Sequence, residues 1–171
     1  MSTRTSLLFH ACAIAALGAL AAVVPREALA ADITGRVTAV ATGDTFTLSS
    51  DDKREITVRL SDVAAPVGGG FYAPSARQLL SNMILNEPVR VAVTAEQGPD
   101  RIFGHAYRGL LDVNLEMVKA GAAWTCVEFT SDTSYWPYQS QAMRRRLGAW
   151  SQTTEFDARI ACRERPPVPK R

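Results

Sequence analysis

The chain has 171 residues, of which 47% are hydrophobic and 21% are charged, and its formal net charge at pH 7 is +2. This length accommodates one ordinary domain with enough buried surface to fold alone, and it leaves no room for a second domain of similar size. The nearly balanced charge excludes a global electrostatic case for nucleic-acid binding, which would have to depend on local patches.

The first 30 residues have the pattern of an export signal. Arg4 precedes an almost wholly apolar stretch from Ser6 to Val24, and Ala28-Leu29-Ala30 offers the small residues that a signal peptidase reads. We expect residues 1–30 to be a signal peptide, so that a secreted or periplasmic monomer of 141 residues remains, with no membrane association. The alternative is a retained membrane anchor, because the stretch is nearly long enough to span a bilayer.

The first half of the remaining chain is typical of short β-strands. Segments rich in Val, Ile and Thr alternate with turn residues such as Ala41-Thr42-Gly43-Asp44. The expected elements in this half are strands over Ile33–Val40, Thr45–Ser49 and Glu55–Leu60, a helix over about Ala73–Leu85, and strands over Val89–Thr94 and around Gly104–Tyr107.

The second half favours helices. Asp112 is placed to cap a helix that begins at Val113 and that Gly121 closes, and a last helix over about Trp136–Leu147 precedes a Pro-rich, basic tail. Strands, a helix, two strands and then helices form an α+β order. A five-stranded antiparallel sheet of this order can close into a small OB-like β-barrel with about three α-helices.

Cysteine usage agrees with export. Cys12 lies in the signal peptide, which leaves Cys126 and Cys162, and an even pair in an oxidising compartment predicts one disulfide. This bond would tether the C-terminal basic tail, residues 151–171, to the domain. The alternative is two unpaired thiols. The spacing fits no zinc site, because His105 is the only histidine beyond the signal peptide.

Several short motifs occur in a specific order over roughly residues 33–150. They are Gly43-Asp44-Thr45-Phe46, Val58-Arg59-Leu60 followed by Ala65-Pro66, the run from Asp112 to Gly121, and Gly148-Ala149-Trp150. In this order and spacing the chain resembles the staphylococcal nuclease, or thermonuclease-like, family. The resemblance implies one such domain over residues 31–150.

The resemblance also implies a phosphodiesterase chemistry. In that family a calcium ion is held by two aspartates and a backbone carbonyl, two arginines stabilise the transition state, and a glutamate helps a water molecule to attack. Position by position, Asp44 matches the first calcium ligand, Arg59 matches the first catalytic arginine, and Arg101 matches the second.

Two acidic positions of the family are changed here. Ala64 stands where the second calcium-binding aspartate is expected, and Val67 stands where the glutamate is expected. Because calcium requires oxygen ligands, we expect it to bind weakly or not at all. The positions of the family's pocket tyrosines fall near Pro99 and Val127, so this contact with the nucleotide is also predicted to be lost.

Other residues offer weaker alternatives. Asp62 or Asp100 would substitute for the lost acids if either reached a displaced ion, and each is otherwise an ordinary turn or loop residue. Asp44 is also well suited to a structural role in its turn. For His105 a general base is one interpretation, and a hydrogen-bonded structural residue is the other.

Three functional classes therefore remain open. The first is an exported nuclease with a rebuilt metal site, and the second is a catalytically impaired member whose arginine-lined cleft still binds nucleic acid, phosphate or another anionic ligand. The third is a non-catalytic envelope protein, for instance in exopolysaccharide (succinoglycan) biosynthesis, because secreted members of the family are known from such gene clusters. No residue of the sequence argues for that third context.

Overall fold

The computed structural model describes residues 32–66, 71–126, 133–152 and Cys162. The strands in chain order are β1 (Asp32–Val40), β2 (Thr45–Ser50), β3 (Glu55–Leu60), β4 (Val63–Ala64), β5 (Pro88–Glu96), β6 (Arg101–Arg108), β7 (Leu111–Asp112) and β8 (Trp124–Thr125). The helices are α1 (Ala73–Ile84), α2 (Val113–Lys119) and α3 (Trp136–Arg144), and a 3₁₀ turn follows over Gly148–Ser151. The expected α+β composition with three α-helices is confirmed.

Five strands form a closed barrel in the order β3-β2-β1-β5-β6, and β6 pairs with β3 to close it. Neighbours along this order are antiparallel, but the closing pair β3–β6 is parallel, with Val58 opposite Ile102. The expected five-stranded OB-like barrel is therefore confirmed, and the expected antiparallel pairing fails only in this one pair. Strand directions cannot alternate all the way around a ring of five, so one pair must run parallel.

The barrel interior follows from the alternation along each strand. Phe46 and Leu48 of β2, like Ile56 and Val58 of β3, are buried, whereas the residues between them are at least partly exposed. Helix α1 packs Leu80 and Ile84 into the same core. Period-two burial places every second strand residue on the outer face, and the candidate site lies there.

The last helix is shorter than expected. It ends at Arg144, and the chain then turns through Arg146 (φ 52°) and Gly148 (φ 56°). A Cβ atom on Gly148 would lie 2.5 Å from the carbonyl oxygen of Gly121, so glycine allows this close approach. The predicted helix to Leu147 was wrong at this end because the turn brings the chain back to Gly121.

A second, smaller apolar cluster lies where β4 pairs with β8. It contains Ala64, Trp124, Ala149 and Trp150 together with the disulfide between Cys126 and Cys162, whose Cα atoms are 5.4 Å apart. The predicted cysteine pair is thus bonded. Within the described ranges, the structure has no helix that is long and apolar enough to cross a membrane.

Candidate anion-binding and catalytic site

Asp44 lies at the end of the turn between β1 and β2 and is buried, with 1% of its surface exposed. Its backbone carbonyl accepts a hydrogen bond from Leu60 N at 2.8 Å, which fixes the turn against the end of β3. The preceding Gly43 packs tightly, since an added Cβ would lie 2.6 Å from the Cβ of Ala76 and 2.8 Å from that of Ala65. Glycine is therefore required next to Asp44 by this close packing.

The carboxylate of Asp44 is surrounded by protein donors. Its Oδ1 accepts hydrogen bonds from the hydroxyls of Thr42 at 2.8 Å and Thr45 at 3.0 Å. Its Oδ2 accepts from Arg59 Nε at 3.4 Å and from the backbone N–H of Ala65 at 3.3 Å. A carboxylate offers about four lone-pair sites, so these four donors saturate it.

Arg59 and Arg101 project from the same outer face of the barrel. Arg59 lies opposite Phe103 and Arg101 lies opposite Thr57 in the parallel β3–β6 pair, so the two arginines are diagonal neighbours. Strand geometry separates such positions by roughly 8 Å at the backbone, which long side chains can span. The structure therefore brings the two predicted catalytic arginines to one surface.

The two arginines differ in their partners. Arg59 is part-buried, with 22% of its side chain exposed, and forms the ion pair with Asp44 through Nε. Its terminal nitrogens make no hydrogen bond to any residue within the described ranges. Arg101 is exposed and makes no ion pair with any described residue. Both guanidinium groups thus have donors that no described residue accepts.

The position expected to hold a second calcium ligand is closed. Ala64 is fully buried, pairs with Trp124 across β4 and β8, and packs in the smaller apolar cluster. Within the described part of the chain, no three His, Cys, Asp or Glu residues are grouped so that they would hold a metal ion. The described residues do not fit a calcium site, since calcium takes six to eight oxygen ligands.

Two further predictions concern residues outside the described ranges. Val67, at the expected glutamate position, and Val127, at an expected tyrosine position, both lie there. Pro99, at the other tyrosine position, lies in the exposed loop between β5 and β6.

Asp62 and Asp100, the two candidate substitutes for the lost acids, make other contacts. The carboxylate of Asp62 forms an ion pair with His105 Nε2 at 2.9 Å, and Asp62 adopts φ 60° between β3 and β4. Asp100 is exposed, and its backbone oxygen accepts a hydrogen bond from Thr57 N at 2.8 Å. His105 is hydrogen-bonded on both ring nitrogens, in agreement with the structural interpretation.

Sequence reasoning missed the donors that saturate Asp44. The hydroxyls of Thr42 and Thr45 flank the aspartate in Thr42-Gly43-Asp44-Thr45, and this local pattern is a signal for a hydrogen-bonded turn. The Ala65 amide had no comparable signal, because it is 21 residues away in the chain.

Comparison with known proteins agrees with the family resemblance seen in the sequence motifs. The family model described as "Staphylococcal nuclease homologue" matches residues 57–152. A protein of Shigella flexneri named "Micrococcal nuclease" is 31% identical over 153 residues, covering 81% of this chain and 87% of its own. A Haemophilus influenzae protein named "Uncharacterized endonuclease" is 28% identical over 124 residues, covering 72% and 70% respectively. An Escherichia coli protein of the same name is 31% identical over 124 residues, covering 72% and 80%.

Proposed function

Because the chain belongs to the staphylococcal nuclease homologue family, we propose that it binds phosphodiesters at Arg59 and Arg101 and is catalytically impaired as a calcium-dependent nuclease. One observation carries the proposal: the carboxylate at the first calcium position, that of Asp44, is saturated by four protein donors. A ligand oxygen for calcium would have to give up these bonds first.

This site offers calcium little binding free energy. A hard cation loses its hydration shell on binding, and negatively charged ligands offset that loss. Here the charge of Asp44 is already paired with Arg59, and the neighbouring position is the buried methyl group of Ala64. An incoming cation would meet an arginine and an apolar surface where the family has a second carboxylate.

The outer barrel face that carries Arg59 and Arg101, which we call the arginine surface, supports anion binding independently of a metal. Guanidinium groups bind phosphate oxygens through pairs of parallel N–H donors. The Asp44 carboxylate holds Arg59 by Nε, which orders the guanidinium, while no described residue bonds to its terminal nitrogens. Arg101 adds a second, more exposed donor group on the same face, so one phosphodiester group can meet both cations.

Hydrolysis requires more than binding. A water-positioning base in the transition state commonly contributes about 10²–10⁴ in rate, and Val67 has no group that can perform this task. We therefore expect that a bound phosphodiester is held but cleaved slowly. The names of the relatives favour a second candidate, an active nuclease with a rebuilt site, and direct hydrolysis measurements separate the two.

Export forms part of the same proposal. The apolar N-terminal stretch predicts a signal peptide, and the disulfide between Cys126 and Cys162 is the kind of bond that persists in an oxidising compartment. Both observations support a secreted or periplasmic protein.

Binding is tested with a short fluorescent single-stranded oligonucleotide in the presence of a chelator, followed by anisotropy. We expect saturable binding by the wild-type protein and a loss of about tenfold in affinity for Arg101→Ala, since hydrogen bonds to charged groups contribute about 1.5–3 kcal/mol. Arg101 is exposed, so this variant should fold normally. Arg59→Gln tests the second cation and keeps a polar partner near Asp44.

Arg54→Ala is the matched control. Arg54 is also an exposed arginine, but it lies in the β2–β3 turn and pairs with Asp52 at 2.7 Å. Its removal should leave the affinity unchanged. Absence of binding by the wild-type protein, or equal losses for Arg54→Ala and Arg101→Ala, would contradict a specific site on β3 and β6.

A further inference from the structure

Four polar side chains form a continuous hydrogen-bonded chain beside the arginine surface. Asp62 Oδ2 lies 2.9 Å from His105 Nε2, His105 Nδ1 lies 3.1 Å from the Tyr135 hydroxyl, and that hydroxyl donates to Asp112 Oδ2 at 3.0 Å. We refer to these four residues as the polar chain. It connects the turn after β3 and strand β6 to the start of α2 and the start of α3.

The hydrogen bonds determine where the protons lie. Burial raises the pKa of the Tyr135 hydroxyl, and the neighbouring carboxylate of Asp112 raises it further, so Tyr135 keeps its single proton. That proton is donated to Asp112, and the phenol oxygen must therefore accept from His105 Nδ1. The carboxylate of Asp62 accepts from Nε2. Both ring nitrogens are donors, which is the property of an imidazolium.

The surroundings favour this positive charge. Partial burial of His105 opposes a charge, but two carboxylates act against this effect, one directly and the other through Tyr135. Among the described residues, Asp62 and Tyr135 contact the ring and Asp112 acts on it through Tyr135. Tyr107 follows two positions after His105 on the same face of β6, and Arg90 of β5 lies opposite Tyr107. The cationic member of this set, Arg90, stacks on Tyr107 at 4.3 Å and is paired with Asp32 at 2.8 Å.

The polar chain also holds the turn between Arg59 and Ala65, the two residues that donate to Asp44 Oδ2. Asp62 adopts φ 60°, a left-handed conformation that is uncommon for residues other than glycine. Its backbone oxygen accepts from Cys126 N at 2.8 Å. The geometry of this turn therefore sets where the two donors of Asp44 are placed.

We propose that His105 is a positioning residue, held as an imidazolium by Asp62 and Tyr135, that fixes the Asp62 turn and thereby orients Arg59 toward a bound phosphodiester. The protonation part is independent of ligand binding, whereas the orienting part rests on the proposed function. When the ring loses its proton, one of its two hydrogen bonds is lost, and either the Asp62 turn or the start of α3 is released.

The direction of the pH dependence follows from linkage. Acceptors on both nitrogens favour the charged form in the folded state, so the folded imidazole titrates above the unfolded value of about 6.5. The stabilisation is fully present below that unfolded value and is lost as the pH rises through the folded one. Phosphodiester binding should weaken over the same alkaline range, because the Asp62 turn is released there. The charge of a phosphodiester is constant over this range, so the change in affinity would come from the protein.

The protonation state is measured by NMR on the full chain labelled with ¹⁵N. The two histidines, His10 and His105, are distinguished by the spectrum of His105→Gln. At neutral pH we expect protons on both ring nitrogens of His105 and a titration midpoint above its ordinary value. A neutral ring with one protonated nitrogen at neutral pH would overturn the proposal.

The positioning role is measured by oligonucleotide binding from about pH 6 to about pH 9. Wild-type affinity should fall about tenfold across the imidazole titration, while His105→Gln binds weakly and without this pH dependence. Ile84→Val, in the barrel core, is the control for a merely weakened fold and should keep the wild-type profile.

The outcomes are distinguishable. An imidazolium combined with a flat wild-type profile, or with the same profile in His105→Gln, would overturn the positioning role alone. Absence of binding at every pH in a protein whose NMR spectrum shows the imidazolium would refute the proposed function and leave His105 nothing to orient. A Tyr135→Phe variant with a lower midpoint for His105 would support the proton assignment, since the Nδ1 acceptor is removed.

Discussion

Replacing Asp44 with asparagine removes the negative charge at the first calcium position and keeps the side-chain volume. In a working calcium site, neutralising one of several clustered acids relieves repulsion when the metal is absent. Here the carboxylate is buried and bonded to Thr42, Thr45, Arg59 and Ala65. We therefore expect Asp44→Asn to destabilise the fold in the presence of a chelator.

The size of the effect follows from those four bonds. The asparagine amide can still donate to the two hydroxyls, which rotate to accept, and its oxygen can face the Ala65 amide. The stability that is lost is then the extra strength that the negative charge gives to the two bonds at Oδ2. The Arg59 bond is long at 3.4 Å, so its contribution lies at the low end of the range for hydrogen bonds to charged groups. A loss of roughly 2–3 kcal/mol in the free energy of unfolding results. For a domain of this size it corresponds to about 6–12 °C in Tm.

The assay is thermal unfolding of wild-type protein and Asp44→Asn, each with chelator and with millimolar calcium. The wild-type Tm should be the same in both conditions, and the variant should be lower by the same amount in both. A wild-type Tm that rises with calcium, together with an Asp44→Asn variant at least as stable as wild type in chelator, would refute the structural role of Asp44.

Three further predictions concern stability. Reduction of the disulfide between Cys126 and Cys162, which are 36 residues apart, should cost about 3–4 kcal/mol by the chain-entropy relation, measured by urea unfolding with and without reductant. Gly121→Ala should lower the Tm strongly, because φ is +67° and a Cβ would lie 2.2 Å from the carbonyl oxygen of Leu147; an unchanged Tm would contradict this packing. Ala64→Asp should cost roughly 2–4 kcal/mol in chelator, since it places a carboxylate in an apolar cluster, and a neutral effect in denaturant unfolding would show that the position opens to solvent.

The barrel strands were predictable because their sequence pattern is local. Glu55–Leu60 alternates polar and apolar residues between two turns, and the observed β3 has the same bounds. The same alternation places Arg59 on the outer face, opposite to buried Val58 and Leu60. Family motifs then identified Arg101 as its neighbour, which the parallel pairing of β3 with β6 brings to the same surface.

The features that the sequence did not reveal depend on contacts between distant segments. Strands β4 and β8 have two residues each, too few for any periodicity, and they exist because Ala64 pairs with Trp124. The left-handed turn at Asp62 likewise contains no glycine, the residue by which a sequence usually indicates such a conformation. His105 pairs with Asp62 in that turn from 43 positions away in the chain, so only the folded structure shows this contact.

The most direct test of the central claim is hydrolysis of DNA by the purified protein with calcium, measured beside an intact nuclease of the family at equal concentration. In this protein Asp44 is saturated by protein donors, Ala64 is buried and position 67 is not a glutamate. We therefore predict that the rate of hydrolysis is lower by a factor of about 10²–10⁴ or more and does not change with chelator. Rapid calcium-dependent cleavage that Arg59→Gln abolishes would contradict the claim and show that the site has been rebuilt from other acids.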